Sequence, residues 1–232
     1  MHRPRWIEAP DDQANLRRLS KRELLAFLGV LLVCSVALGI SVSMRHTVNV
    51  WLTTGLTAAF CLAATLSAGA KHIRSYLTWD GGKAAMGLVF GLLAIPLTHV
   101  AFRMIGEHEP TLNHEVHELY DSLEAWPGPI VALPLLLFVI AVEELVYRGV
   151  LQHVLQDLLG KPSSRHRAAL VLLGTFVYLA PQLISNSLVL VLVAAAWGMI
   201  WTLERLYSGS VLVPFITHAT WSVGVFVLFP VR

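Results

Sequence analysis

Long apolar runs separated by short polar breaks dominate the chain from residue 23 onward. A membrane-spanning helix needs about 20 mostly apolar residues. On that measure the runs predict helices over 23–44, 48–69, 84–105, 129–158, 168–184, 187–206 and 209–230. The expected fold is therefore all-α: a polytopic membrane helix bundle of about seven transmembrane helices. Residues 1–22 are polar and read as a cytoplasmic N-terminal segment, which leaves 23–232 as the transmembrane domain. That lead is too long for the n-region of a signal peptide, and the first apolar run exceeds an h-region of about 7–15 residues, so it reads as an uncleaved anchor. No internal repeat or low-complexity tract divides the chain.

Composition agrees with the pattern. Of the 232 residues, 56% are hydrophobic and 14% charged, against about 25% charged in an average soluble domain. Disorder, a collagen repeat, a coiled coil and a disulfide-rich scaffold are excluded. Cys34 and Cys61 lie inside apolar runs and read as small buried hydrophobes.

The charges are segregated, and this sets an orientation. Arg3, Arg5, Arg17, Arg18, Lys21 and Arg22 precede the first run, whereas only Arg45 follows it, so the N-terminus is expected in the cytoplasm. Lys71, Arg74 and Lys83, then Lys161, Arg165 and Arg167, continue the alternation. The segment 106–128 holds Glu107, Glu109, Glu115, Glu118, Asp121 and Glu124 without Lys or Arg, which places it on the opposite side, its middle forming a short interfacial helix. No basic stripe suited to nucleic acid is present, and the expected partner at this point is the lipid bilayer. The style of the chain suggests the cytoplasmic (inner) membrane of a bacterium.

Three charged residues stand against the lipid. In the run PIVALPLLLFVIAVEELVYRGVLQHVLQDLL, Glu143, Glu144 and Arg148 lie deep within a predicted helix. Glu143 is roughly 21 Å along it from Pro129, near mid-bilayer. A charged residue there costs about 2.5–3.5 kcal/mol on insertion scales, so the doublet must face protein or water. Glu144 and Arg148 are spaced i, i+4 with the acid first, and neutralise each other on one face. Glu143, about 100° round the helix, has no local cation; Tyr147, four residues on, offers a hydroxyl. A buried acid of that kind is a candidate general base, although an ion pair locking two helices together is the plainer alternative. In the last run His218 shares a face with Trp221 and Ser222. The run before the last but one carries Tyr178 and Gln182 on one face, with Pro181 loosening the helix between them.

These residues carry a resemblance. EELVYRG resembles the first motif, Glu-Glu-x-x-x-Arg, of the CPBP intramembrane proteases, the CAAX-processing and bacteriocin-processing or Abi family, over roughly residues 129–230. The family's second motif, Phe-x-x-x-His, falls by position on Tyr178 and Gln182, and its third, His-x-x-x-Asn or Asp, on His218 and Ser222. The closing HATWSVGVFVLFP is also similar to bacterial members.

The resemblance implies an intramembrane endopeptidase whose partner is a membrane-associated protein or peptide substrate, and in which Glu143 activates a water, His218 assists, and Glu144 and Arg148 support the geometry. Two positions depart from the family: Gln182 replaces a histidine and Ser222 an asparagine or aspartate. Glutamine hydrogen-bonds but carries no proton, and serine is a short donor. A catalytically silent membrane scaffold or substrate-binding protein on the same fold, a pseudoprotease, is therefore the alternative. A small proton-relaying transporter is a third reading, unsupported by any inverted repeat.

No cofactor is expected. The site offers at most Glu143, Glu144 and His218 to a metal, without the H-E-x-x-H helix of zinc proteases. The remaining histidines read as structural. His99 makes an interhelical hydrogen bond, His108, His114 and His117 belong to a solvated loop, and His153 meets the cytoplasmic interface.

Overall fold

The computed structural model describes residues 18–106, 108–159 and 164–231. The N-terminal stretch through Arg17, together with Glu107 and Lys161, lies outside the described residues. Helices account for nearly all of the described chain, and no strand occurs among the described residues. They are α1 (Lys21–Ser43), α2 (Val50–Tyr76), α3 (Gly81–Gly106), α4 (Pro110–Glu124), α5 (Leu133–Glu144), α6 (Gln152–Leu159), α7 (Ser164–Ile184), α8 (Leu188–Ser208) and α9 (Leu212–Val223). A π-helical segment, Leu145–Leu151, joins α5 to α6 without a break, and a second one, Gly224–Leu228, prolongs α9.

Among the described residues, α2, α3, α7, α8 and the helical stretch Lys21–His46 containing α1 are long and apolar enough to cross a membrane, and Leu212–Leu228 is a shorter apolar helix. The all-α polytopic bundle read from the apolar runs is thus the observed architecture. The fourth predicted span is three helical pieces in one continuous rod, α5, the π segment and α6. The acidic segment between α3 and α5 contains the expected short helix, α4.

The rod is the centre of the molecule. α1, α2, α7, α8 and α9 all pack against some part of it, while α3 stands outside and packs mainly on α9. Every residue of Leu145–Leu151 is buried. On α3 the large side chains Leu88, Phe90, Leu93 and Leu97 are exposed, the inverse of a soluble protein and the surface that lipid tails would cover.

The helix ends follow local chemistry. Ser20 and Glu23 form a reciprocal capping box at the start of α1. Ser187 accepts from the Leu190 amide at the start of α8, and α8 ends on Gly209, whose φ of 73° closes the left-handed cap that a Cβ would disfavour. α2 runs to Tyr76, seven residues beyond the predicted end. In its polar last turns His72 is buried, its Nε2 meeting Glu23 Oε1 at 3.0 Å, while Lys71 and Arg74 stay exposed.

That extension also corrects the placement of His153. It is 1% exposed rather than interfacial, since α2 covers it: its Nδ1 lies 2.7 Å from the Tyr76 hydroxyl and its ring 5.0 Å from that of His72. His99 Nε2 meets the carbonyl of Phe229, just past the end of Gly224–Leu228, at 3.0 Å, so its partner is the chain beyond the last helix and not a helix itself.

α4 lays Leu112, Val116, Tyr120 and Leu123 inward. The Tyr120 hydroxyl donates to the Val225 carbonyl at 2.7 Å and accepts from the Val231 amide at 2.9 Å. Beneath this helix an apolar cavity of about 160 Å³ opens between α3, α8 and α9, with Phe102, Val193 and Trp221 among its walls.

Candidate active site

α5 ends on Glu143 and Glu144, and the π segment carries Tyr147 and Arg148. Glu144 has no exposed surface. Its Oε1 is 2.9 Å from His218 Nδ1 on α9, and its Oε2 lies 3.5 Å from Arg148 Nε. A carboxylate only accepts, so His218 Nδ1 carries the proton of that bond and Nε2 is left for other work. The expected i, i+4 pair is present as an ion pair, but no hydrogen bond joins its atoms: Glu144 Oε2 and Arg148 Nε each lack a hydrogen-bond partner. Arg148 spends its charge elsewhere. Its guanidinium lies 4.1 Å above the Tyr178 ring of α7 and 5.3 Å from Trp201 of α8, and Nη2 donates to the Gly198 carbonyl at 3.3 Å.

Glu143 sits differently. It is half-buried, with its carboxyl beside the Tyr178 hydroxyl. The sequence offered Tyr147 for this role, but the Tyr147 hydroxyl faces α1 and lies 3.0 Å from Ser35 Oγ. The two adjacent acids therefore divide: Glu144 faces α9 and His218, and Glu143 faces α7 and Tyr178.

Tyr178 is 5% exposed and reaches the centre because α8 presents Gly198 to it; a Cβ there would come 2.7 Å from Tyr178 Cδ1. Gln182, one turn further along α7, points an Oε1 without a hydrogen-bond partner into the interior. His218 is 6% exposed and lies flat on Trp201, with ring centroids 3.7 Å apart. Trp221 donates its indole N–H to Thr98 Oγ1 at 2.8 Å, and Ser222 is buried one position on. Thus Glu144, Arg148 and His218 form one connected group, Glu143 joins it through Tyr178, and Gln182 and Ser222 occupy neighbouring turns of α7 and α9.

Two charged residues of the interior were not anticipated. Glu204 and Arg205, at the end of the predicted run 187–206 and near the end of α8, are 5% and 2% exposed. Arg205 Nε donates to the Arg148 carbonyl at 2.9 Å, and Glu204 Oε1 accepts from Thr217 Oγ1 at 2.8 Å. Two successive charged residues inside an apolar run are the signal that was present. Among the described residues no group of three His, Cys, Asp or Glu side chains is placed to hold a metal ion.

Acids, guanidinium groups and an imidazole thus cluster at the core of an apolar helix bundle, where a charge is costly unless it faces protein or water. Residues 125–224 match the model of the family described as type II CAAX prenyl endopeptidase Rce1-like. That stretch is similar to the CPBP-type CAAX intramembrane proteases, and it contains Glu143, Glu144, Arg148, Tyr178, Gln182, His218 and Ser222. No curated protein and no solved structure matches the chain.

Proposed function

We propose that this protein is an intramembrane endopeptidase that hydrolyses a peptide bond in a membrane-associated or C-terminally anchored protein. The observation that carries the reading is the division of labour between the adjacent acids. Glu144, fully buried and bonded to His218 Nδ1, orients the imidazole as a carboxylate does in a triad. Glu143, half-buried beside the Tyr178 hydroxyl, is the acid that a water can reach. In this reading the Glu143 carboxylate takes a proton from water as the oxygen attacks the scissile carbonyl. His218 Nε2 handles the proton delivered to the departing amine, and Ser222 contributes a hydroxyl near the developing oxyanion. The N-terminus lies in the cytoplasm, as the Lys and Arg distribution favours.

The test is a comparison of cells carrying the wild type or Glu143→Ala. A membrane-anchored precursor should accumulate with the variant, while the variant itself remains folded and abundant. Continued cleavage of the same precursor by Glu143→Ala would sink the reading.

One observation favours a second reading, a non-catalytic scaffold on the same fold: the Gln182 Oε1 without a partner stands at the position of the family's second histidine. In that case no precursor accumulates, and partner binding is indifferent to Glu143→Ala.

A further inference from the structure

We propose that Glu204 is a positioning residue of the site, holding His218 against Trp201 by way of Thr217. This rests on the proteolytic reading given above. Where α8 meets α9, two consecutive residues of α9 are each gripped by one residue of α8. Trp201 stacks on His218 at 3.7 Å and 19° from parallel, and Glu204, one turn along, takes the Thr217 hydroxyl. Thr217 has no exposed surface. Its Oγ1 is 2.8 Å from Glu204 Oε1, 3.0 Å from the Gly87 carbonyl of α3 and 3.3 Å from the Val213 carbonyl one turn back.

A hydroxyl has one proton for these three acceptors. The carboxyl oxygen is the nearest, and it belongs to the helix that also carries Trp201. The bond therefore ties the rotation of α9 about its axis to α8, which also holds one face of the imidazole. α3 supplies only a main-chain carbonyl at this point.

The cost of the arrangement argues that it does more than pack helices. Glu204 is 5% exposed and its Oε2 has no hydrogen-bond partner. A half-satisfied buried carboxyl is a poor way to join two helices, since an apolar side chain of similar volume serves as well or better. A short, directional bond to the residue beside the imidazole is what precise aim requires, because small misplacements of a reacting group cost rate steeply.

The experiment uses the full-length protein in detergent or nanodiscs, with the precursor found above as substrate. Glu204→Met removes the carboxyl while keeping an apolar chain of similar length, and Thr217→Val removes only the hydroxyl. Each is expected to lower kcat by about tenfold with KM changed less than about twofold and with no fall in thermal midpoint. The double variant should be no worse than either single one, since both break the same link. Glu204→Gln, which keeps an acceptor oxygen for Thr217, should recover most of the rate.

An unchanged kcat in Glu204→Met, additive losses, or a loss that tracks a lowered thermal midpoint would overturn the inference. Failure of the proteolytic reading looks different: either the wild type itself cleaves nothing or Glu143→Ala cleaves normally, and then the positioning role falls with it.

Discussion

The imidazole of His218 lies flat on the indole of Trp201, ring centroids 3.7 Å apart and planes 19° from parallel, with Glu144 bonded to its Nδ1 edge. One face and one edge of the ring are thereby fixed by two different helices. Stacked aromatic pairs are worth about 0.5–1.5 kcal/mol beyond their buried area. Trp201→Leu is accordingly expected to reduce the cleavage rate by about 2–10-fold, and Trp201→Phe to retain most of it. Initial rates on the accumulated precursor measure both.

The neighbouring acids should respond differently to the same change. Glu144→Gln removes the charge opposite Arg148 in a fully buried setting, and breaking such a pair costs about 3–5 kcal/mol. Its thermal midpoint in detergent should fall markedly. Glu143→Gln, at a half-buried position, should keep the midpoint and lose the cleavage. Equal stability losses in the two variants would contradict the division between them.

Gly198 leaves room for the ring on which Arg148 rests. An added Cβ would stand 2.7 Å from Tyr178 Cδ1, so Gly198→Ala must push the ring aside. Overpacking of this kind costs about 1–3 kcal/mol. A lowered thermal midpoint together with reduced cleavage is the expected outcome, the latter because the Tyr178 hydroxyl also stands beside Glu143.

Gln182→His tests the departure from the family's second motif. The present side chain leaves its Oε1 without a partner and cannot carry a proton. General acid–base groups contribute about 10²–10⁴-fold, so a histidine at this position is expected to raise turnover by about tenfold or more. Unchanged turnover would mean that the site does not route protons past α7.

What the sequence made legible followed from local patterns. Runs of apolar residues located the spanning helices, and Glu143, Glu144 and Arg148 stood out because a charge inside such a run is costly wherever it occurs. Two kinds of feature escaped. The apolar run ending at residue 69 hid His72, which lies within α2, and Glu204 and Arg205, at the end of the run 187–206, did not stand out as charges of the interior. Their burial depends on chain-distant partners, Glu23 for His72 and Thr217 for Glu204. Which acid meets His218 was equally hidden: Glu143 and Glu144 are adjacent in sequence, and the packing of α5 against α9 makes the choice.

The π-helical segment Leu145–Leu151 has a consequence for numbering along the central rod. A π turn acts as one residue too many in an α-helix, and each residue of an α-helix advances the side chain by about 100°. Everything from Gln152 onward is thus out of phase with the face set by Glu143 and Glu144. Gln152 and His153 turn toward α7 and α2, where Gly174 makes room for the amide and Tyr76 meets the imidazole. Removing one residue from this turn would restore a regular helix and wind those two side chains away from their neighbours. The acids upstream would keep their register.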